Sequence, residues 1–322
     1  MSTPLPRGVC VVSIDTEMAW GGAHRRGGPP DPGLDHEREA IASVLDVLAR
    51  HGIAATWAVV GHLFLDACDR DGGRPHPEVV RPDYPWLDGD WFDVDPCSTR
   101  SEAPSWYGRD VVAAIRACPV PQEIGCHSFA HALAGEPGCS PAAFASDLVA
   151  CRALAGADGL ALRSFVYPRN AVGHVEALAP AGFACYRGRP RPPFAGRPAA
   201  VRAALRLAER ARPLAGSAAV PERHPSGVWN VPQTFLFAPA ERRSRLPVAL
   251  WARAPRARLR QAARERSLFH LWFHPSNVTA DPDRVVPALD RICADAARLR
   301  DRGALDTLTM GALAERLEAM GA

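Results

Sequence analysis

The chain has 322 residues, enough for one large α/β domain or two modest ones, and its 47% hydrophobic and 23% charged residues are the proportions of a globular protein with a full core. Disorder as the overall state is thereby excluded, and a formal charge of +3 is too small to point to a nucleic-acid partner. All 38 basic residues are arginine, so clusters such as Arg187, Arg189, Arg191 and Arg197 are discounted as compositional. Phosphate binding is the alternative role for their guanidinium groups.

Nine cysteines with no C-x-x-C pair read as reduced, mostly buried thiols. The first eight residues lack a basic start, an apolar stretch and a cleavage site, and no apolar run reaches membrane-spanning length. A soluble, cytoplasmic protein is expected.

In chain order, 9–14 is a continuous apolar run that predicts a buried strand, followed by a glycine- and proline-rich turn region over 21–33. The apolar spacing of 37–51 predicts a helix ending at Gly52, and 53–60 a further strand. Residues 66–105 are dense in Pro, Asp, Gly and Trp and read as an insertion leaning over a site. Then come a helix near 108–118, a strand near 122–126, a helix near 140–154, a strand near 163–167 and a helix near 171–181. A strand at 183–186 precedes an Arg/Pro/Ala-rich stretch, 188–226, read as a surface excursion with an amphipathic helix. Strands near 228–232 and 268–273 with a helix between them, and helices near 282–302 and 310–319, close the chain. Strands alternating with helices imply parallel βαβ units, and about seven of them favour a distorted (β/α)7-type barrel with inserted loops, one domain over 1–322. Such barrels place their chemistry at the C-terminal ends of the strands.

The unusual polar residues fall at those ends. Asp15 and Glu17 close the first strand, and alternation directs both to one face while Thr16 points away. His127 and His131 lie four apart. Fully extended, they would stand about 13 Å apart, too far to share an ion, whereas one helical turn brings such side chains together. With Glu17 they make a two-histidine, one-carboxylate set that leaves positions open for water and substrate. A serine at 128 rules out the H-E-x-x-H pattern. His274 ends the 268–273 strand and can reach a site, while His270 reads as a packed structural histidine. Arg169, directly after another strand, can hold a carboxylate ionised.

These segments, in this order, resemble the motifs of the polysaccharide deacetylases, carbohydrate esterase family 4: T-F-D-D, H-S/T-x-x-H, R-x-P-Y and an apolar strand ending in His. His127-Ser128-Phe129-Ala130-His131 matches the second and Leu271-Trp272-Phe273-His274 the last; Ala55-Thr56-Trp57-Ala58-Val59-Val60-Gly61 resembles the family's A-T-F-F-V-x-G segment. The resemblance spans residues 13–274. In the first motif Asp15 keeps the position of the family's catalytic base, but Thr16 stands where the ligand should be, and Glu17 is its replacement. This D-x-E arrangement is that of an intracellular-type variant. In the third motif no arginine lies two residues before Pro168. Arg169 follows it and is taken as the partner of Asp15, with Arg163 in reserve.

The resemblance implies metal-dependent N-deacetylation. Glu17, His127 and His131 would hold a divalent metal, zinc by expectation; Asp15, paired with Arg169, would act as base, and His274 as acid. A backbone N–H in the Tyr167 loop would meet the oxyanion. The expected partner is a small acetamido sugar or sugar conjugate, cleaved to acetate and an amine. Trp20, Trp106, Tyr107 and Tyr167, with Trp86 and Trp91, are candidates to line its pocket, since aromatic faces pack on sugar rings. The rivals are a deformylase or other amide or ureide hydrolase on the same scaffold, a non-catalytic carbohydrate-binding relative, and an iron(II) oxygenase.

Overall fold

Strand β1 (Gly8–Thr16) is buried along its whole length. Neighbours cover it on both sides, which is why its sequence is continuously apolar rather than alternating. The computed structural model describes residues 5–24, 36–190, 219–238 and 247–321. Most of the 188–226 excursion and part of the 21–33 turn region lie outside them.

The remaining strands are β2 (Thr56–Val59), β3 (Arg70–Asp71), β4 (Arg74–Pro75), β5 (Glu123–Cys126), β6 (Ser164–Val166), β7 (Cys185–Arg187), β8 (Glu222–Arg223), β9 (Trp229–Asn230), β10 (Phe235–Leu236), β11 (Leu268–Phe273) and β12 (Leu305–Leu308). The main sheet runs β10-β11-β1-β2-β5-β6-β7-β9-β8, with β12 also on β1. Its pairings are parallel except β8 with β9. Curled into a half-barrel with helices around it, the sheet is the expected distorted β/α barrel.

Register carries the consequence for chemistry. Ile14 pairs with Phe273, Thr16 with Val59, Val59 with Cys126, and Val166 with Arg187. The C-terminal ends of β1, β11, β5, β6 and β7 are therefore level, and the residues just beyond them share one rim.

Helix Glu37–His51 buries Ala40, Ile41, Val44, Leu45, Val47 and Leu48 and ends where Gly52 adopts φ 62°, a left-handed turn that glycine enters at little cost. It packs on helix Pro282–Asp301. Helices Arg109–Arg116, Pro141–Ala157, Arg253–Glu265 and Met310–Ala319 occupy their expected positions. The helix expected near 171–181 does not form: a single 3-10 turn, Val175–Ala177, stands in its place. Gly173 lies against the Ala134 carbonyl, where a Cβ would come within 2.3 Å, and His174 takes φ 51°. Close backbone packing overrides the helical spacing there. Strand β12 was not legible in the sequence. Among the described residues, no helix is long and apolar enough to cross a membrane.

The 66–105 insertion contains one short hairpin, β3–β4, yet it buries Val79, Tyr84, Trp91 and Phe92 in the main core. It also clamps the loop after β5. The Trp91 indole N–H donates to the Ala130 carbonyl (2.9 Å), and the Tyr84 hydroxyl accepts the Leu133 N–H (2.7 Å). Tyr84→Phe would leave that buried N–H unsatisfied, at a cost of about 1–3 kcal/mol. A lowered urea midpoint at unchanged m-value is the expected readout; an unchanged midpoint would mean that the clamp carries no stability.

Candidate active site

The loop after β5 brings two imidazoles together, but not by the helical turn that the spacing suggested. Ser128 and His131 both take left-handed backbone conformations, φ 67° and 60°, and the buried Asp147 of helix Pro141–Ala157 organises the turn. Its carboxylate accepts the Ser128 hydroxyl (2.7 Å) and the Phe129 N–H (2.9 and 3.0 Å), while Ser128 Oγ accepts the Ala132 N–H (2.8 Å). These bonds supply the local partners that helical backbone bonds would otherwise provide. The result sets the His127 and His131 rings 5.2 Å apart.

Glu17 reaches both. Its Oε1 lies 3.0 Å from His127 Nε2 and 3.0 Å from His131 Nε2. His127 Nδ1 stands 2.7 Å from the Val166 carbonyl, which can only accept, so Nδ1 carries the proton and Nε2 presents a lone pair. A lone pair facing a carboxylate oxygen at 3.0 Å is unfavourable unless a second proton or a cation lies between them. Burial lowers the pKa of His131 below the ordinary histidine value despite Glu17, with His127 and Arg169 adding repulsion, so the neutral, ligating form is favoured. Burial alone would raise the Glu17 carboxyl, but His131, His127 and His274 hold it well below its usual range. Ligand atoms of Glu17, His127 and His131 all lie within 4.8 Å of one another. Bonds of about 2.0–2.1 Å to a tetrahedral ion would separate such ligands by roughly 3.3 Å, so the residues fit a divalent metal. Gly21 makes room for this: a Cβ there would stand 1.9 Å from Glu17 Oε2.

Asp15 belongs to a second set. Arg187, at the end of β7 and fully buried, grips it with two 2.6 Å bonds, Nη1 to Oδ1 and Nη2 to Oδ2. Arg187 Nη1 also donates to Ser13 Oγ (3.0 Å), and the guanidinium lies over the Trp272 ring at 4.4 Å. Behind it His270 is buried between Ser13 Oγ (2.8 Å) and the Val231 carbonyl (3.2 Å), with its pKa lowered by burial to about 3. Burial by itself would raise the Asp15 carboxyl; Arg187, His127 and His274 bring it below the ordinary value. His274 Nε2 faces both acids, 3.6 Å from Asp15 Oδ2 and 3.5 Å from Glu17 Oε1. Burial would lower this imidazole, but the Glu17 and Asp15 carboxylates raise it to about 9.

The partner of Asp15 is therefore neither of the expected arginines. Arg163 precedes β6, at the far end of the strand from the rim, and pairs with Glu315. Arg169 is exposed, at φ 50°, on the side of His131 and His24. Composition hid Arg187; its place as the last residue of an apolar strand, the same signal that marked Asp15, His127 and His274, would have found it. The aromatic candidates are also displaced. Trp20, Tyr107 and Tyr167 are buried to 1%, 0% and 0% exposure and present no face to a ligand. Trp106 is half-buried and packs edge-on to Trp20 at 5.0 Å. The half-buried aromatic beside the acids is Trp272, 5.8 Å from the His274 ring.

Two outcomes follow from this geometry. Because the Asp15 pKa is lower folded than unfolded, the pair contributes stability that is complete above about pH 4 and lost as pH falls through the folded value. Asp15→Asn strands a buried guanidinium and should cost about 3–5 kcal/mol near neutrality. Urea unfolding in chelator across a pH series should show the gap to wild type narrowing in acid; a gap that widens there would contradict the pairing. Gly21→Ala should push Glu17 aside and weaken zinc binding roughly 10- to 100-fold, as loss of a ligand's support does; calorimetric titration giving wild-type affinity would refute the crowding argument.

No family model matches the sequence, and no curated protein matches it. Solved structures do match in fold. A Mycobacterium smegmatis protein assigned as a polysaccharide deacetylase superposes with TM-score 0.60 at 14% identity, over 100% of this chain and 96% of its own. A Pseudomonas aeruginosa protein assigned to the same class gives 0.58 at 9%, over 97% and 93%. The allantoinase Puue gives 0.59 at 10%, over 98% and 94%. Identities this low speak for architecture and leave activity to the site. The chain has the fold of the polysaccharide deacetylases.

Proposed function

We propose that the protein is a zinc-dependent hydrolase that removes the N-acetyl group from an acetamido sugar or sugar conjugate. One observation carries the reading: Glu17 Oε1 stands 3.0 Å from two imidazole nitrogens, beside an acid locked by Arg187 and a histidine facing both carboxylates. A divalent ion on Glu17, His127 and His131 supplies, when bound, polarisation of the amide carbonyl and a lowered pKa for the attacking water.

The side chains divide the proton work. Asp15, ionised and fixed by the Arg187 fork, accepts the proton of the water whose oxygen bonds to the carbonyl carbon. His274, whose charged form the Glu17 and Asp15 carboxylates favour, gives its Nε2 proton to the nitrogen as the C–N bond breaks, so a neutral amine leaves rather than an amide anion. The products are acetate and the free amine. A cation on Glu17 would withdraw part of the charge that raises His274, so the alkaline limb of kcat/KM is placed below about pH 9. Trp272 is the aromatic surface offered to a sugar ring. A ureide or other linear amide is the second reading, since the same base, acid and ligand set would serve that C–N cleavage too.

A panel of N-acetylated sugars, their nucleotide conjugates and ureides decides between the readings. Acetate release that is abolished by chelator and restored by zinc is expected; ammonia or urea from a ureide would select the second reading, and no chelator-sensitive hydrolysis of any member would sink both. His274→Ala should lower kcat on a turned-over acetamide by roughly 10²–10⁴-fold. The loss should shrink for 4-nitroacetanilide, whose amine leaves without help; an equal loss on both would remove His274 from the acid role.

A further inference from the structure

A second cluster of ligand-type side chains lies outside the acid–base site. His62, Cys68, His76 and Asp95 bring one ligand atom each within 4.8 Å of the others. His62 comes from the 3-10 turn after β2 (Gly61–Phe64), and the other three come from the 66–105 insertion. We propose that this cluster is a structural zinc site that fastens the insertion to the barrel.

Four observations support it. Asp95 Oδ2 is 3.0 Å from His62 Nε2 and 2.9 Å from His76 Nε2, and Cys68 Sγ is 3.6 Å from both His62 Nε2 and Asp95 Oδ2. Around tetrahedral zinc, bonds of about 2.0–2.2 Å to N or O and about 2.3 Å to S give edges of roughly 3.3 Å and 3.6 Å. Four of the six ligand–ligand edges are thus within a few tenths of an ångström of that shape before any ion is added, and the other two are under 4.8 Å.

The ring of His62 is oriented for ligation. Its Nδ1 stands 3.1 Å from the Trp106 carbonyl and so carries the proton, turning the Nε2 lone pair toward Asp95. As with His127, an acceptor facing a carboxylate oxygen needs a positive charge between them. Burial makes that need acute: His62 is 0% and Asp95 1% exposed.

Surrounding groups complete the set. The Cys97 N–H donates to Asp95 Oδ1 (2.9 Å), leaving Oδ2 for the centre. The Tyr107 hydroxyl accepts the Ser98 N–H (2.8 Å) and stands 3.3 Å from Cys68 Sγ, placed to donate to a thiolate. Four protein ligands and no open position are the mark of a structural rather than a catalytic zinc. The insertion needs such a fastening, since β3–β4 is the regular pairing it contains. Tyr107, expected to touch substrate, instead supports this centre.

Cobalt(II) separates the two sites, because Glu17, His127 and His131 offer no sulfur. The full chain, stripped with chelator and refilled with cobalt, should show a thiolate-to-cobalt charge-transfer band in the near ultraviolet. The band should vanish in Cys68→Ser and persist in the His127→Ala/His131→Ala double variant, which tests the other centre. Zinc content should fall by about one ion per chain in Cys68→Ser. If Cys68→Ser does not fold, alkylation of the wild type decides: Cys68 should resist iodoacetamide when zinc-loaded and react after chelation. Absence of the band in wild type, its survival in Cys68→Ser, or equal alkylation with and without zinc would overturn the proposal. Failure of the catalytic reading alone would still leave about one zinc per chain and the band intact.

Discussion

Two carboxylates two residues apart at the end of a buried strand cannot both stay charged unless something positive answers each. Asp15 and Glu17 are in that position, and the rest of the site follows from the two different answers. Asp15 is met by a permanent cation, Arg187, in a two-point grip that fixes both its charge and its direction. Glu17 is met by two imidazoles and by His274, groups that share a proton or an ion with it but do not hold it permanently. On the proposed function, one acid is kept as a base in waiting and the other is left as a ligand.

The barrel supplies the alignment. Strands β1, β5, β6, β7 and β11 end level, so groups from five separate parts of the chain meet at one rim, and the long, buried Arg187 side chain spans from β7 to Asp15 of β1. What the strands do not supply is loop conformation. The His127–His131 turn is held from below by Asp147 and from the side by Tyr84 and Trp91 of the insertion, so the ligand spacing depends on a segment with almost no secondary structure. On the two proposals, a fastened insertion and a well-spaced metal trio are parts of one arrangement.

Much of this was legible in the sequence. Apolar runs marked β1, β2, β5 and β11, and the residue that breaks each run at its end marked Asp15, His127 and His274. Helix Glu37–His51 could be bounded to the residue because its burial pattern and its glycine stop agree. Other features were not, for physical reasons. Arg187 was lost among 38 arginines, because composition masks a single buried one. The 171–181 segment has helical spacing, but its glycine is needed for a backbone contact that only the tertiary structure reveals. The conformation from Ser128 to His131 depends on a carboxylate 19 residues away from Ser128, beyond any local rule. Aromatics in a proline-rich insertion looked like a binding surface, yet most of them pack into or against the main core. The His62, Cys68, His76 and Asp95 set follows no short spacing pattern, so only folding brings it into view.

The central claim is that Glu17, His127 and His131 share one ion rather than merely hydrogen-bond. Anomalous diffraction from a crystal of the full chain soaked in zinc and measured on both sides of the zinc edge tests it most directly. The account predicts a peak at about 2.0–2.2 Å from Glu17 Oε1 and from the Nε2 atoms of both histidines, with Asp15 still on Arg187. An empty position there at full zinc concentration, with Glu17 resting against protonated imidazoles, would contradict it.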